Sequence, residues 1–141
     1  MSSLLHAWRR LDTRPIEGLY CLLTLAWGLS LLFPGDAFAQ SRNFRPMASL
    51  APDWLWGLLT IGVGTIRAYG LGRGKVWARL FAAMGGGVVW SFVWLTMLMA
   101  NSISTGVAVY GVLSMVNLLV FVKICRVDLP PSQGVARVHH Q

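Results

Sequence analysis

Acidic residues are scarce in this chain. Five Asp and Glu stand against twelve Lys and Arg, and charged residues of both signs make up only 12% of the 141 positions. A soluble domain carries roughly 25%, so a water-facing globular surface is a poor fit. Cysteine and histidine are also few, at two and three. Cys21 and Cys125 lack the spacing of a metal site or a redox pair and read as ordinary buried thiols, while His139 and His140 read as a solvated tail. Paired carboxylates at useful depth are missing, as are H-E-x-x-H, G-x-S-x-G and other nucleophile arrangements. Neither an enzyme activity nor a cofactor or metal is expected. The basic residues form no stripe or tail of the kind that binds nucleic acid; they sit in short clusters between apolar runs, so no nucleic-acid partner is expected.

What the chain has is apolar length, with 55% hydrophobic residues and a mean hydropathy of +0.59. Crossing a hydrocarbon core of about 30 Å takes roughly 20 apolar residues in a helix. Four runs approach that length: Gly18 to Phe33, stopped by Pro34-Gly35-Asp36; Asp53 to Ala68, opened by Pro52; Val76 to Met99; and Thr105 to Val122, closed by Lys123 and Arg126. The expected fold is all-α: an integral membrane bundle of four transmembrane helices over residues 18–125, with a basic amphipathic leader (1–17) and a tail (126–141). The first two runs are short, so tilt, local thinning of the bilayer or snorkelling of Arg67 is expected.

The leader repeats Leu4, Leu5, Trp8 and Leu11 at helical spacing beside Arg9 and Arg10, as a helix lying on a membrane surface does; a disordered basic tail is the alternative. Asp36-Ala37-Phe38-Ala39-Gln40 admits a rival account, because a basic leader, an apolar run and an A-x-A ending describe a cleaved signal peptide that would leave three spans. The lengths of the leader and of the apolar run favour a retained helix. Apart from Arg42 and Arg45, every Lys and Arg falls on one side of this scheme, which puts both termini in the cytoplasm. Arg9, Arg10, Arg14, Arg73, Lys75, Arg79, Lys123 and Arg126 are expected to anchor that side to anionic inner-leaflet lipids.

The stretch Gly70-Leu71-Gly72-Arg73-Gly74-Lys75 resembles a phosphate loop only superficially. Val76 follows the lysine where a magnesium-binding hydroxyl belongs, and the flanks are lipid-length helices. It is expected to be a tight reversal between two spans.

Lipid offers helices no hydrophobic reason to associate, so contact depends on small residues that let backbones approach. Thr60, Gly64 and Ala68 recur at four-residue spacing on the second run, Ala83, Gly87 and Ser91 on the third, and Gly111, Ser114 and Asn117 line the fourth. The second and third helices are expected to pack as an antiparallel hairpin. Gly85-Gly86-Gly87 would weaken a helix unless a neighbour presses on it or a hinge is wanted; packing is the preferred reading. Trp90 and Trp94 lie deeper than an interfacial belt and are expected to pack against protein or lipid. Glu17 suits a helix N-terminus or an arginine partner, with a transporter's coupling carboxylate as the alternative. Asn117 suits an interhelical hydrogen bond. The span centres carry no ionisable group, so transport has little sequence support.

From Leu50 to Arg126 the chain resembles a group of small multi-span membrane proteins encoded by tailed bacteriophages. The residues that carry the likeness are Arg67 ending one run, Arg79 before a long aromatic run, and Ser104-Thr105-Gly106-Val107-Ala108-Val109-Tyr110 with Val112-Leu113. The resemblance implies a phage or prophage product in the bacterial inner membrane. The leading expectation is a non-enzymatic membrane protein acting through helix-helix assembly, as a homo-oligomer or with another membrane protein. A holin-like permeabilising protein and a small transporter are the alternatives.

Overall fold

The computed structural model describes residues 12–33, 38, 42–100 and 105–128. Regular structure among them is helical throughout: α1 (Arg14–Leu32), a 3-10 turn (Arg42–Phe44) leading into the short α2 (Arg45–Ala48), α3 (Asp53–Arg73), α4 (Val76–Met99), α5 (Thr105–Lys123) and a terminal π turn (Ile124–Asp128). The expected surface helix of the leader, with Arg9 and Arg10, the alanines of the A-x-A segment and the tail beyond Asp128 lie outside the described residues.

Local chemistry accounts for the helix ends. Pro15 opens α1, where its missing N–H has no intrahelical role, and Glu17 follows in the first turn. Phe33 is extended, as a residue before proline prefers to be. At the far end of α3, Gly74 takes a left-handed φ of 63°. The N–H groups of Gly74 and Lys75 return to Leu71 O and Gly70 O at 3.4 and 2.9 Å, a paired closure that favours glycine. The reversal into α4 is therefore shorter than the sequence suggests: α3 runs on past Ala68 to Arg73, and of the three glycines only Gly74 turns. Gly70 serves a different end, since a Cβ there would fall 2.8 Å from the backbone nitrogen of Arg79.

Three helical stretches among the described residues are long and apolar enough to cross a membrane: Arg14–Leu32, Val76–Met99 and Thr105–Asp128. Four were expected. The fourth candidate, α3, carries Asp53, Arg67 and Arg73 and is rich in glycine, which dilutes its apolar content. The distribution of polarity is inside-out. Thr13, Glu17, Thr24, Thr60, Arg67, Arg79, Thr96, Ser114, Asn117 and Lys123 are buried, while Leu22, Leu58, Ile66, Phe81, Val88 and Met115 are among the many large apolar side chains facing outward. A monomer in water rarely exposes so much apolar surface.

α4 lies between α3 and α5, and α1 packs along α3. α3 and α4 do pack against each other as a hairpin across the Gly74 turn, while Gly57, Thr60 and Gly64 of α3 turn to α1. A Cβ on Gly28 would fall 2.6 Å from Thr60 Oγ1 and 2.9 Å from Gly57 O, and one on Gly64 would fall 2.7 Å from Leu25. Ala68 is exposed and belongs to no such seam. Strict four-residue spacing rotates about 40° per step around a 3.6-residue helix, so the row drifts off; the buried row is Gly57, Thr60, Gly64, Arg67 and Gly70. The stripes on α4 and α5 do meet. Ala83 is buried with Val120 and Ile124, Leu118 lies 3.4 Å from where a Gly87 Cβ would be, Ser91 and Ser114 share a hydrogen bond of 2.5 Å, and Gly111 leaves room for the Trp94 indole.

One end of the assembly gathers Ala83, Val120 and Ile124 with Val76, Leu80 and Phe121. At the other end Leu31, Phe38, Met47 and Val93 are buried with Trp27, Phe44, Trp56, Phe92 and Tyr110 around them. The 3-10 turn and α2 pack over α4 there.

Candidate functional site: two buried arginines

Arg67 and Arg79 define two polar centres with different degrees of compensation. Arg79, near the start of α4, is held through its Nε and Nη2. Its Nε donates to Glu17 Oε2 at 2.9 Å, and its Nη2 donates to Glu17 Oε1 at 2.6 Å and Thr13 Oγ1 at 3.3 Å. Asp128 Oδ2 lies 3.0 Å from the same Nη2. Thr13 completes the ring by donating to Glu17 Oε1 at 2.8 Å. This two-pronged geometry matches a guanidinium to a carboxylate, and it ties the start of α1, the start of α4 and the turn after α5 together. Arg79 was expected at the lipid surface. It is buried instead because two carboxylates from other elements reach it, and Glu17 takes the arginine-partner role.

Arg67 is only 2% exposed and draws on all four long helices. From α3 its Nη2 donates to Ala82 O of α4 at 3.0 Å and to Asn117 Oδ1 of α5 at 2.7 Å. Its Cζ stands 5.6 Å from the centre of the Tyr20 ring of α1, within range of a cation–π attraction. Leu113 O accepts from Tyr20 Oη at 2.9 Å and from Asn117 Nδ2 at 3.3 Å, which fixes both partners. Gly86 makes the arrangement possible: a Cβ there would lie 3.0 Å from Asn117 Oδ1 and 3.1 Å from Arg67 Nη2. α4 runs unbroken through Gly85-Gly86-Gly87, with Val63 3.2 Å from where a Gly85 Cβ would be.

Snorkelling of Arg67 to the surface, expected from its place near the end of an apolar run, does not occur. Arg67 lies on the same face as Thr60 and Gly64, and that face is turned inward. No carboxylate lies within 4.0 Å of it among the described residues. Its Nε, together with Thr24 Oγ1 and Trp90 Nε1, is buried without a hydrogen-bond partner among those residues. An arginine cannot shed its charge, so Arg67 is a buried cation with no carboxylate in direct contact among the described residues.

Of the other expected surface anchors, Arg14, Arg73, Lys75 and Arg126 are exposed. Lys123 is buried, on the turn that leads into the buried Ile124. Trp90 packs against protein, between Trp27 at 5.4 Å and Tyr110 at 5.6 Å. Tyr20, Thr24 and Trp90 were not singled out as polar-site residues. The available signal was the spacing of Tyr20 and Thr24 one turn apart, on the face that also carries Glu17. An outward groove of about 370 Å³ between α4 and α5 is lined by apolar groups and Ser91 and offers little chemistry. Comparison of the chain with protein-family models, curated proteins and solved structures finds no match.

Proposed function

We propose that this chain is a non-enzymatic, four-span integral protein of a bacterial inner membrane that binds or passes a small polar solute at the Arg67 centre. Both termini are then cytoplasmic, and the exposed basic residues of that end rest against anionic lipid headgroups. α3 is the fourth span in this reading. Its outward face carries Leu55, Leu58, Leu59 and Ile66, and Thr60 and Arg67 face inward.

The observation that carries the proposal is the burial of Arg67. It lies six residues before the end of α3, about 9 Å inward along the axis. Charges held inside a membrane protein are costly and mark solute or ion pathways by default. The Arg79 cluster, whose carboxylates are all engaged, is a clasp between helices rather than a second candidate pathway.

Assembly with other copies or partners drew its support from the small-residue stripes. Those on α3, α4 and α5 make contacts within the chain, so they lend that alternative little weight. The test is reconstitution of the full chain into liposomes and measurement of flux for a panel of small ionic and polar solutes. Wild-type vesicles leaking at least one solute faster than vesicles with Arg67→Gln is the expected result. Vesicles as tight as protein-free ones to the whole panel would count against the proposal.

A further inference from the structure

The long helices form two close-packed pairs that the chain joins only once. α1 packs along α3 and α4 along α5, with glycines seating the helices inside each pair: Gly28 and Gly57 between α1 and α3, Gly87 against Leu118 and Gly111 against Trp94 between α4 and α5. In chain order α1 leads to α3 and α4 leads to α5, so the Gly74–Lys75 connection is the single covalent link between the pairs. α3 and α4 leave that turn in opposite directions along the chain, and their contacts match by distance from it. Arg67 and Ala82, joined by a hydrogen bond, lie seven and eight residues away; Val63 and Gly85 both lie eleven away, and Trp56 and Phe92 both eighteen. At 1.5 Å per residue these levels stand about 11, 16 and 27 Å from the turn. What bridges the pairs changes with that distance. Next to the turn, Gly70 lets α3 close on the backbone of Arg79, and Arg79 holds Glu17 of α1. At the far end rings meet instead, Trp56 stacked on Phe92 at 5.1 Å and Trp27 tilted against Trp90 at 5.4 Å.

We propose that the two pairs part about the Gly74 turn, opening the end capped by aromatic rings and admitting solute to Arg67. The inference rests on the solute-handling reading above and supplies the entrance that burial denies Arg67 in the closed arrangement. Parting Glu17 from Arg79 would strand buried charge, whereas ring contacts separate without leaving a charge unpaired. The charged end is therefore the pivot and the aromatic end the mouth. In a rigid hinge rotation displacement grows with distance from the pivot, so a gap of about 6 Å between Trp56 and Phe92 corresponds to roughly 2.5 Å at the Arg67 level. The long side chain of Arg67 absorbs a shift of that size. Tyr20 Oη, bonded to Leu113 O across the pairs, is the polar tie that opening releases.

The test measures distances between paired nitroxide labels on the full-length protein in lipid nanodiscs, in a Cys21→Ala, Cys125→Ala background. Leu29→Cys with Val109→Cys spans the two pairs, while Leu29→Cys with Leu58→Cys reports on α1–α3 and Leu95→Cys with Val109→Cys on α4–α5; all four positions are exposed. Two populations separated by about 5 Å or more are expected across the pairs, and one population within each. A lock gives the second measurement. A Cβ on Gly85 would lie 3.2 and 3.7 Å from the two methyls of Val63, so a disulfide between Val63→Cys and Gly85→Cys is within reach. Its oxidation is expected to leave only the shorter distance and to slow solute flux in liposomes by about tenfold or more, with reduction restoring both. If the Val63→Cys, Gly85→Cys protein does not fold, the label distances decide. A single narrow distance across the pairs, an equal spread within them, or both populations persisting in the oxidised protein would overturn the hinge. Flux with a single distance across the pairs would remove the hinge and leave the solute-handling reading standing. Two distances in a protein whose vesicles stay tight would uphold the hinge and count against that reading.

Discussion

Arg79 and Glu17 form an ion pair that neither partner can leave unaccompanied. The Glu17 side chain is fully buried and that of Arg79 nearly so. Removing one partner from a buried pair leaves an uncompensated charge and costs about 3–5 kcal/mol, whereas replacing both with apolar groups of similar volume is often neutral. Arg79→Met is therefore expected to destabilise the protein by about that amount. The Glu17→Met, Arg79→Met double variant should unfold closer to wild type, as read by reversible unfolding in mixed micelles containing SDS. Equal losses in the single and double variants would show that the pair does not act as a unit. Interhelical hydrogen bonds differ in weight in the same way. Ser91→Ala removes a neutral bond to Ser114 and should cost about 0.6 kcal/mol. Asn117→Ala leaves Arg67 Nη2 with only Ala82 O and should cost about 1–3 kcal/mol. The reverse order in the same unfolding assay would mean that Asn117 is not what holds Arg67.

Among the helices, glycine is required by contact at some positions and not at others. Gly28, Gly64 and Gly70 are each pressed by a neighbour closer than 3 Å to the place of a Cβ, whereas Gly72 faces nothing within 4 Å. Gly28→Ala forces Thr60 or the Gly57 carbonyl to move and is expected to cost about 1–3 kcal/mol. Gly72→Ala fills open space within a helix and should be neutral or stabilising by up to about 1 kcal/mol. Side-by-side unfolding of the two variants checks this, and similar losses in both would contradict the α1–α3 seam. Helix periodicity made the existence of these elements legible, with Val76–Met99 found at the expected bounds. It did not reveal which helix each stripe meets. Thr60 and Gly64 look equally able to face α1 or α4, because small residues permit close approach by any partner.

For the whole molecule, an apolar exterior around a polar interior calls for lipid as the surrounding medium. The four-span reading expects reporters fused at residues 1 and 141 to be protected from an impermeant reagent outside intact cells. A tag within the segment 42–48 should be reached. Labelling of that segment only after the cells are opened would reverse the orientation, and loss of the amino-terminal reporter from the membrane would favour cleavage.

Composition and the spacing of apolar runs determined by themselves that this chain is helical and suited to lipid, because the length of a span and the avoidance of charge are properties of consecutive residues. They also placed most cations between the runs. Only the tertiary structure decided that Arg67 and Arg79 turn inward. A side chain's surroundings depend on which helices close around it, and the partners of these two arginines come from α1, from α4, from α5 and from the turn after α5. Glu17 and Arg79 are 62 positions apart and Arg67 and Asn117 are 50 apart, so the polar groups that meet in the core are strangers along the chain.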